Sequence, residues 1–176
     1  MKKLLTTLCA AAILPTVACA EGSAITKQDV LMAQKQWGEG IVAIGQAYQS
    51  NGDYKSKAAE HIRELYAYDQ SEVLFKPTLA SNDQFRESFD AALSYFVGGA
   101  VSEDKGFAIK PWSNVRFGDQ QIITNEDSAI AMGNYFFTPV GSNEETKVEY
   151  TFGYMKDQDG NLRINVHHSS LPFDPS

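Results

Sequence analysis

Cysteine is nearly missing from this chain: its two copies, Cys9 and Cys19, both fall in the first twenty residues. Those twenty read as a secretory signal peptide. Lys2 and Lys3 give a basic start, Leu4 to Val17 is mostly apolar, and Ala18-Cys19-Ala20 fits a small-x-small cleavage site. Cleavage after Ala20 is the expectation. A lipid anchor on Cys19 is the weaker alternative, because Thr16 stands where a large aliphatic is preferred. The apolar run is too short for a permanent membrane span. The expected mature chain, one domain over residues 21–176, then has no thiol, no disulfide and no thiolate metal ligand, and is periplasmic or secreted. Without a covalent staple it must rest on its hydrophobic core.

Two other shortages narrow the partners. The chain carries 15 Lys and Arg against 22 Asp and Glu, with no basic cluster, and two of the lysines lie in the leader. That balance argues against nucleic acid and against an anionic membrane surface after signal cleavage. Histidine is equally sparse: only His61, His167 and His168. A catalytic zinc takes three protein ligands and an open position. Adjacent histidines on a strand point to opposite faces, so His167 and His168 cannot easily share one ion. No cofactor is the expectation, and a His/carboxylate site for Zn or Mn is the alternative.

What is present is ordered simply. Val30, Ala33, Trp37, Ile41, Ile44 and Tyr48 recur at helical spacing and predict a helix from Thr26 to Ser50. Thr26 and Asp29 resemble a capping box, and Asn51-Gly52 ends the helix. Gly38 and Gly40 inside it predict close packing against a neighbour. Asp53 caps a second helix to about Tyr66, on which His61, beside Glu60, Arg63 and Glu64, is expected at the surface or rim. Glu72 to Leu79, interrupted by Pro77, reads as an edge strand or crossover. Thr78 follows that proline, where a hydroxyl usually bonds local backbone. Ser81-Asn82-Asp83 offers caps for a third helix with Phe85, Phe89, Ala92, Leu93 and Phe96 as its buried stripe and Tyr95 at the margin. Phe107–Phe117, Ala129–Thr138 and Glu145–Lys156 read as strands separated at Gly118-Asp119 and Val140–Asn143. Asp157–Gly160 turns into the last strand. Helices followed by an antiparallel meander are an α+β order.

In the last strand, Leu162, Ile164 and Val166 alternate with Arg163 and Asn165. Continuing that parity puts His168 and Ser170 on the buried face and His167 and Ser169 on the outer one. A histidine and a hydroxyl on an apolar face need partners, which predicts a pocket floor just before Pro172.

Four runs in the same order, Val73–Thr78, Ala92–Gly99, Ala131–Phe137 and His167–Pro172, together resemble the iota-class carbonic anhydrases, in particular the bacterial and cyanobacterial branch. The resemblance covers nearly all of the expected mature chain, and His167-His-Ser-Ser170 is its most telling part. It implies an NTF2-like cone, similar to the association domain of calcium/calmodulin-dependent protein kinase II, with about three helices inside a curved antiparallel sheet. It also implies a metal-free site that holds carbon dioxide and bicarbonate through Thr78, Tyr95 and Ser170, with Ser169 as the alternative to the last.

Hydration of carbon dioxide without metal needs donors aimed at the developing oxygen charge and an acceptor for the proton of the attacking water. The hydroxyls of Thr78, Tyr95 and Ser170 suit the first task. His168, as a neutral imidazole, suits the second or else orients Ser170 or Tyr95. Phe96, Tyr135 and Phe152 would exclude bulk water. Two competing readings remain: a ketosteroid-isomerase-like proton shuttle using Asp90 or Glu60 as base, and a non-catalytic small-ligand-binding or association module. A homodimer through the outer sheet face is expected from aromatic residues on both sides of the strands.

Overall fold

The computed structural model describes residues 24–175, so the expected signal peptide lies outside the described residues. Three helices, α1 (Lys27–Gln49), α2 (Tyr54–Leu65) and α3 (Phe89–Val97), lie with five strands, β1 (Leu74–Lys76), β2 (Trp112–Thr124), β3 (Ser128–Pro139), β4 (Thr146–Lys156) and β5 (Leu162–Ser170). The sheet order is β1-β5-β4-β3-β2, antiparallel except that β1 pairs parallel to β5. This is the expected α+β fold, with the short Leu74–Lys76 strand at one edge.

Local chemistry sets the helix ends. The Thr26 side chain accepts from the Asp29 amide while Asp29 accepts from the Thr26 amide, which completes the capping box. Asp53 caps α2 through the Ser56 amide. The third helix differs from the expectation: Ser88, not Ser81–Asp83, is its cap, and Phe85 is exposed. The Ser81, Asn82 and Asp83 amides instead donate to the Glu103 carboxylate, an acceptor supplied from beyond α3.

Two strand boundaries also differ. Phe107–Ile109 is a short 3-10 turn, and β2 runs straight through Gly118-Asp119. The ladder slips between Gly118 and Gln121, and Asp119 takes a left-handed φ of 48°. The pair expected to separate two strands is therefore a bulge within one.

The core fills the space between α1 and the concave sheet face. Trp37 is its centre, stacked on Tyr135 at 5.7 Å and edge-on to Phe152 at 5.6 Å. Its indole Nε1–H donates to the Tyr66 hydroxyl at 3.0 Å, so the one polar atom of the ring is satisfied. The helix glycines make room as expected. A Cβ at Gly38 would sit 3.0 Å from the Val115 carbonyl on β2, and one at Gly40 would overlap the His61 ring. His61 is consequently buried, not at the surface or rim, where it lies between Trp37 and Phe96.

The feature that places the site is a bulge in β5. Tyr154 pairs with Ile164, but Gly153 pairs with Val166, so Asn165 is an extra residue in β5. Each inserted residue reverses the face of everything after it. Beyond the bulge Phe152 faces His167 and Tyr150 faces Ser169. His167 and Ser169 are therefore buried, while His168 is exposed.

Candidate functional site

A cavity of about 240 Å³ opens between the concave sheet and the helices. Its polar lining includes Thr78, Tyr95, Tyr135, His167 and Ser169, and its mouth carries the exposed Leu79 and Leu171. Larger hollows, of about 470, 540, 310 and 250 Å³, lie at the α1–β5 edge, on the outer sheet face, between α1 and α2, and beside Tyr66 and Phe89. None of them has this convergence of Thr78, Tyr95, Tyr135 and Ser169 hydroxyls from separate elements, so the smaller cavity is the candidate site.

Each hydroxyl arrives from a different part of the fold. Thr78 follows β1 and Pro77 and donates through Oγ1 to Ser169 Oγ at 2.9 Å. Ser169 comes from β5 beyond the bulge, and its oxygen accepts from Thr78. Tyr95 comes from the last turn of α3, and its oxygen accepts from the Leu79 amide at 3.3 Å, which leaves the phenolic proton available. The Tyr135 phenol on β3 lies against both Ser169 and Thr78. Burial pushes the Tyr95 phenol up to about 12 and raises that of Tyr135 as well, so both remain neutral donors.

The segment holding Thr78 and Leu79 is braced from beneath. Arg86 is fully buried, donates to Asp104 at 2.5 Å and to the Asp83 carbonyl, and lies 5.8 Å over the Tyr95 ring. Glu103 gathers the three amides named above and the Ser81 hydroxyl. Those four hydrogen bonds hold its carboxyl down at about 2.

The structure thus brings together Thr78, Tyr95 and Ser169, but not the other two residues expected there. Ser170 lies on the outer sheet face and donates to Glu149 at 2.9 Å. His168 is exposed on that same face. The physical reason is the Asn165 bulge, which an unbroken alternation does not contain. Its trace in the sequence is Gly153, an isolated glycine in a strand of alternating aromatics. Sequence reasoning also missed His167 and Tyr66, whose rings pack together with Nδ1 of the first 2.8 Å from the hydroxyl of the second. Of the aromatics expected to exclude water, Tyr135 lines the cavity, whereas Phe96 and Phe152 belong to the core behind it. Asp90 and Glu60, the bases a ketosteroid-isomerase-like shuttle would need, are both exposed, and the cavity lining has no carboxylate. Among the described residues no group of three His, Cys, Asp or Glu side chains is placed to hold a metal ion. No helix among them is long and apolar enough to cross a membrane.

The architecture places the chain in a broad class first. An NTF2-like protein from Salmonella enterica superposes with a TM-score of 0.58 at 16% identity, covering 85% of this chain and 93% of that one. A second, from Pseudomonas putida KT2440, gives 0.56 at 14% identity over 85% and 89%. At such identities the likeness defines the NTF2-like fold alone. Closer relatives narrow it. A family model described as metal-independent carbonic anhydrase matches residues 28–171. A metal-independent carbonic anhydrase of Nostoc sp. (strain PCC 7120) is 43% identical, over 86% of this chain and 76% of that protein. The crystal structure of the iota-carbonic anhydrase from a cyanobacterium, complexed with bicarbonate, superposes with a TM-score of 0.83 at 40% identity, covering 93% of this chain and 99% of that one. The chain belongs to the metal-independent carbonic anhydrase family.

Proposed function

We propose that this chain hydrates carbon dioxide reversibly to bicarbonate in the cavity lined by Thr78, Tyr95 and Ser169. The observation that carries the reading is the meeting of these three hydroxyls, 91 residues apart between Thr78 and Ser169, in one half-enclosed space. Family membership supports the same activity. Bicarbonate is a small planar anion, and neutral hydroxyl donors fixed before it forms stabilise charge on its oxygens without reorganising. The apolar mouth and Tyr135 give carbon dioxide a berth away from bulk water. With His168 on the far side of the sheet, the proton of the attacking water leaves through solvent at the mouth, and His168 takes no direct part.

The reading includes no metal cofactor and an export address outside the inner membrane. It also includes a homodimer through the outer sheet face, where Ile123, Ile130 and Met132 are exposed. Stopped-flow carbon dioxide hydration by the mature protein, before and after exhaustive chelation, is the test. Activity that survives chelation and falls in Thr78→Val, Tyr95→Phe and Ser169→Ala supports it. Activity lost on chelation and restored by Zn or Mn overturns the metal-free part. A folded protein without hydration activity leaves a small-anion-binding module.

A further inference from the structure

His167 is 2% exposed, stacked on Phe75 at 4.5 Å and edge-on to Phe152 at 4.4 Å. Its Nδ1 is bonded to Tyr66, but its Nε2 is buried with no protein partner among the described residues. The ring borders the cavity beside Ser169. Which nitrogen carries the proton follows from its neighbours. The Trp37 indole is a donor only, and it donates to the Tyr66 oxygen. The single Tyr66 proton then has one acceptor within reach, His167 Nδ1. A neutral imidazole that accepts at Nδ1 must carry its hydrogen on Nε2. An N–H left unpaired in a buried site costs about 1–3 kcal/mol, so a ligand or water in the cavity is its natural acceptor.

We propose that His167 is a further catalytic donor in this cavity, its Nε2–H binding an oxygen of bicarbonate or of the attacking water. Trp37 and Tyr66 are positioning residues that fix its tautomer. This rests on the carbon dioxide reading above for the identity of the ligand, but not for the tautomer. The role is that of a neutral imidazole acting as electrophile, opposite to a general base. Burial supports it by holding the imidazole well below the ordinary histidine value. The titratable groups around the ring are the phenols of Tyr66, Tyr95 and Tyr135, His168 across the strand, and Lys110 at the cavity wall. None is a carboxylate that would favour imidazolium.

The test is long-range nitrogen–proton NMR on histidine-labelled mature protein from pH 5 to 9, with and without bicarbonate, using His168→Gln for assignment. The expected result is a His167 ring with bare Nδ1 and protonated Nε2 throughout, whose Nε2–H signal moves on adding bicarbonate. A bare Nε2, a titration within that range, or no response to bicarbonate would overturn the proposal. Kinetics provide the second arm. Glutamine places an amide N–H near the Nε2 position, so His167→Gln should retain much of the kcat/KM that His167→Leu loses, with no inflection near pH 6.5. Equal losses in both would point to a base and sink the donor role. Should the parent lack hydration activity, the tautomer and bicarbonate shifts still decide this proposal separately.

Discussion

Ser169 and Ser170 share a chemistry and differ in the side of β5 they face. Ser169 accepts from Thr78 inside the cavity, and Ser170 donates to Glu149 outside it. Ser169→Ala is expected to lower kcat/KM for carbon dioxide hydration on the order of 10²-fold, the usual loss for one preorganised donor. Ser170→Ala removes an exposed hydrogen bond and should leave the rate unchanged. Stopped-flow traces on the two variants check this, and a larger loss in Ser170→Ala would return the site to the uninterrupted strand parity. The residue identities at the site were only partly legible for this reason. Thr78 and Tyr95 could be picked out by motif and then found facing one space. The choice between neighbouring serines depended on a face that no count along the strand could supply once one residue was inserted.

At the scale of elements, the bulge and its glycine form one device. A Cβ on Gly153 would lie 2.9 Å from the Val166 side chain. Gly153→Ala should therefore cost about 1–3 kcal/mol through overpacking. That corresponds to a melting point lower by roughly 2–4 °C per kcal/mol in a chain of this size. It should also slow hydration, because Val166 leads directly into His167 and Ser169. A variant as stable and active as the parent would show that the bulge does not hold the site. The elements that were legible, the Thr26 and Asp53 caps, the α1 stripe from Val30 to Ile44 (its expected end, Tyr48, is exposed) and the β1 edge, are set by residues close in sequence. Those that were not are set across the fold: Glu103 replaces a helix cap at Ser81–Asp83, and the Gly40 notch draws His61 inward despite its charged neighbours. The Glu103 clamp makes a pH prediction. Its folded pKa, at about 2, is below the ordinary carboxylate value, so its contribution is complete above about pH 4.5 and is lost as pH falls toward 2. Protection of the Ser81, Asn82 and Asp83 amides against exchange should fall over that window relative to the amides of α3, and the window should vanish in Glu103→Gln, which keeps one acceptor oxygen but does not titrate. Protection that falls uniformly across the chain would refute a local clamp.

For the whole molecule, the sheet has one face filled by helices and one face open. Ile123 and Ile130 are register partners on the open face, and they are 66% and 53% exposed. Met132, 60% exposed, lies between Gln121 on β2 and Thr151 on β4. Apolar side chains grouped on one exposed face favour a partner surface. A two-fold dimer would set each residue of that patch near its own counterpart. Met132→Glu then introduces two carboxylates into one interface, where like charges without partners are costly. Sedimentation velocity should show the parent as a dimer and Met132→Glu as a monomer of unchanged circular dichroism. The candidate cavity opens on the concave side, away from this patch, so hydration activity per chain should be the same in both. A monomeric parent, or a variant that stays dimeric, would remove the outer face as the contact. A monomer with its activity lost would mean that pairing of the sheets holds the β5 bulge, and with it His167 and Ser169, in place.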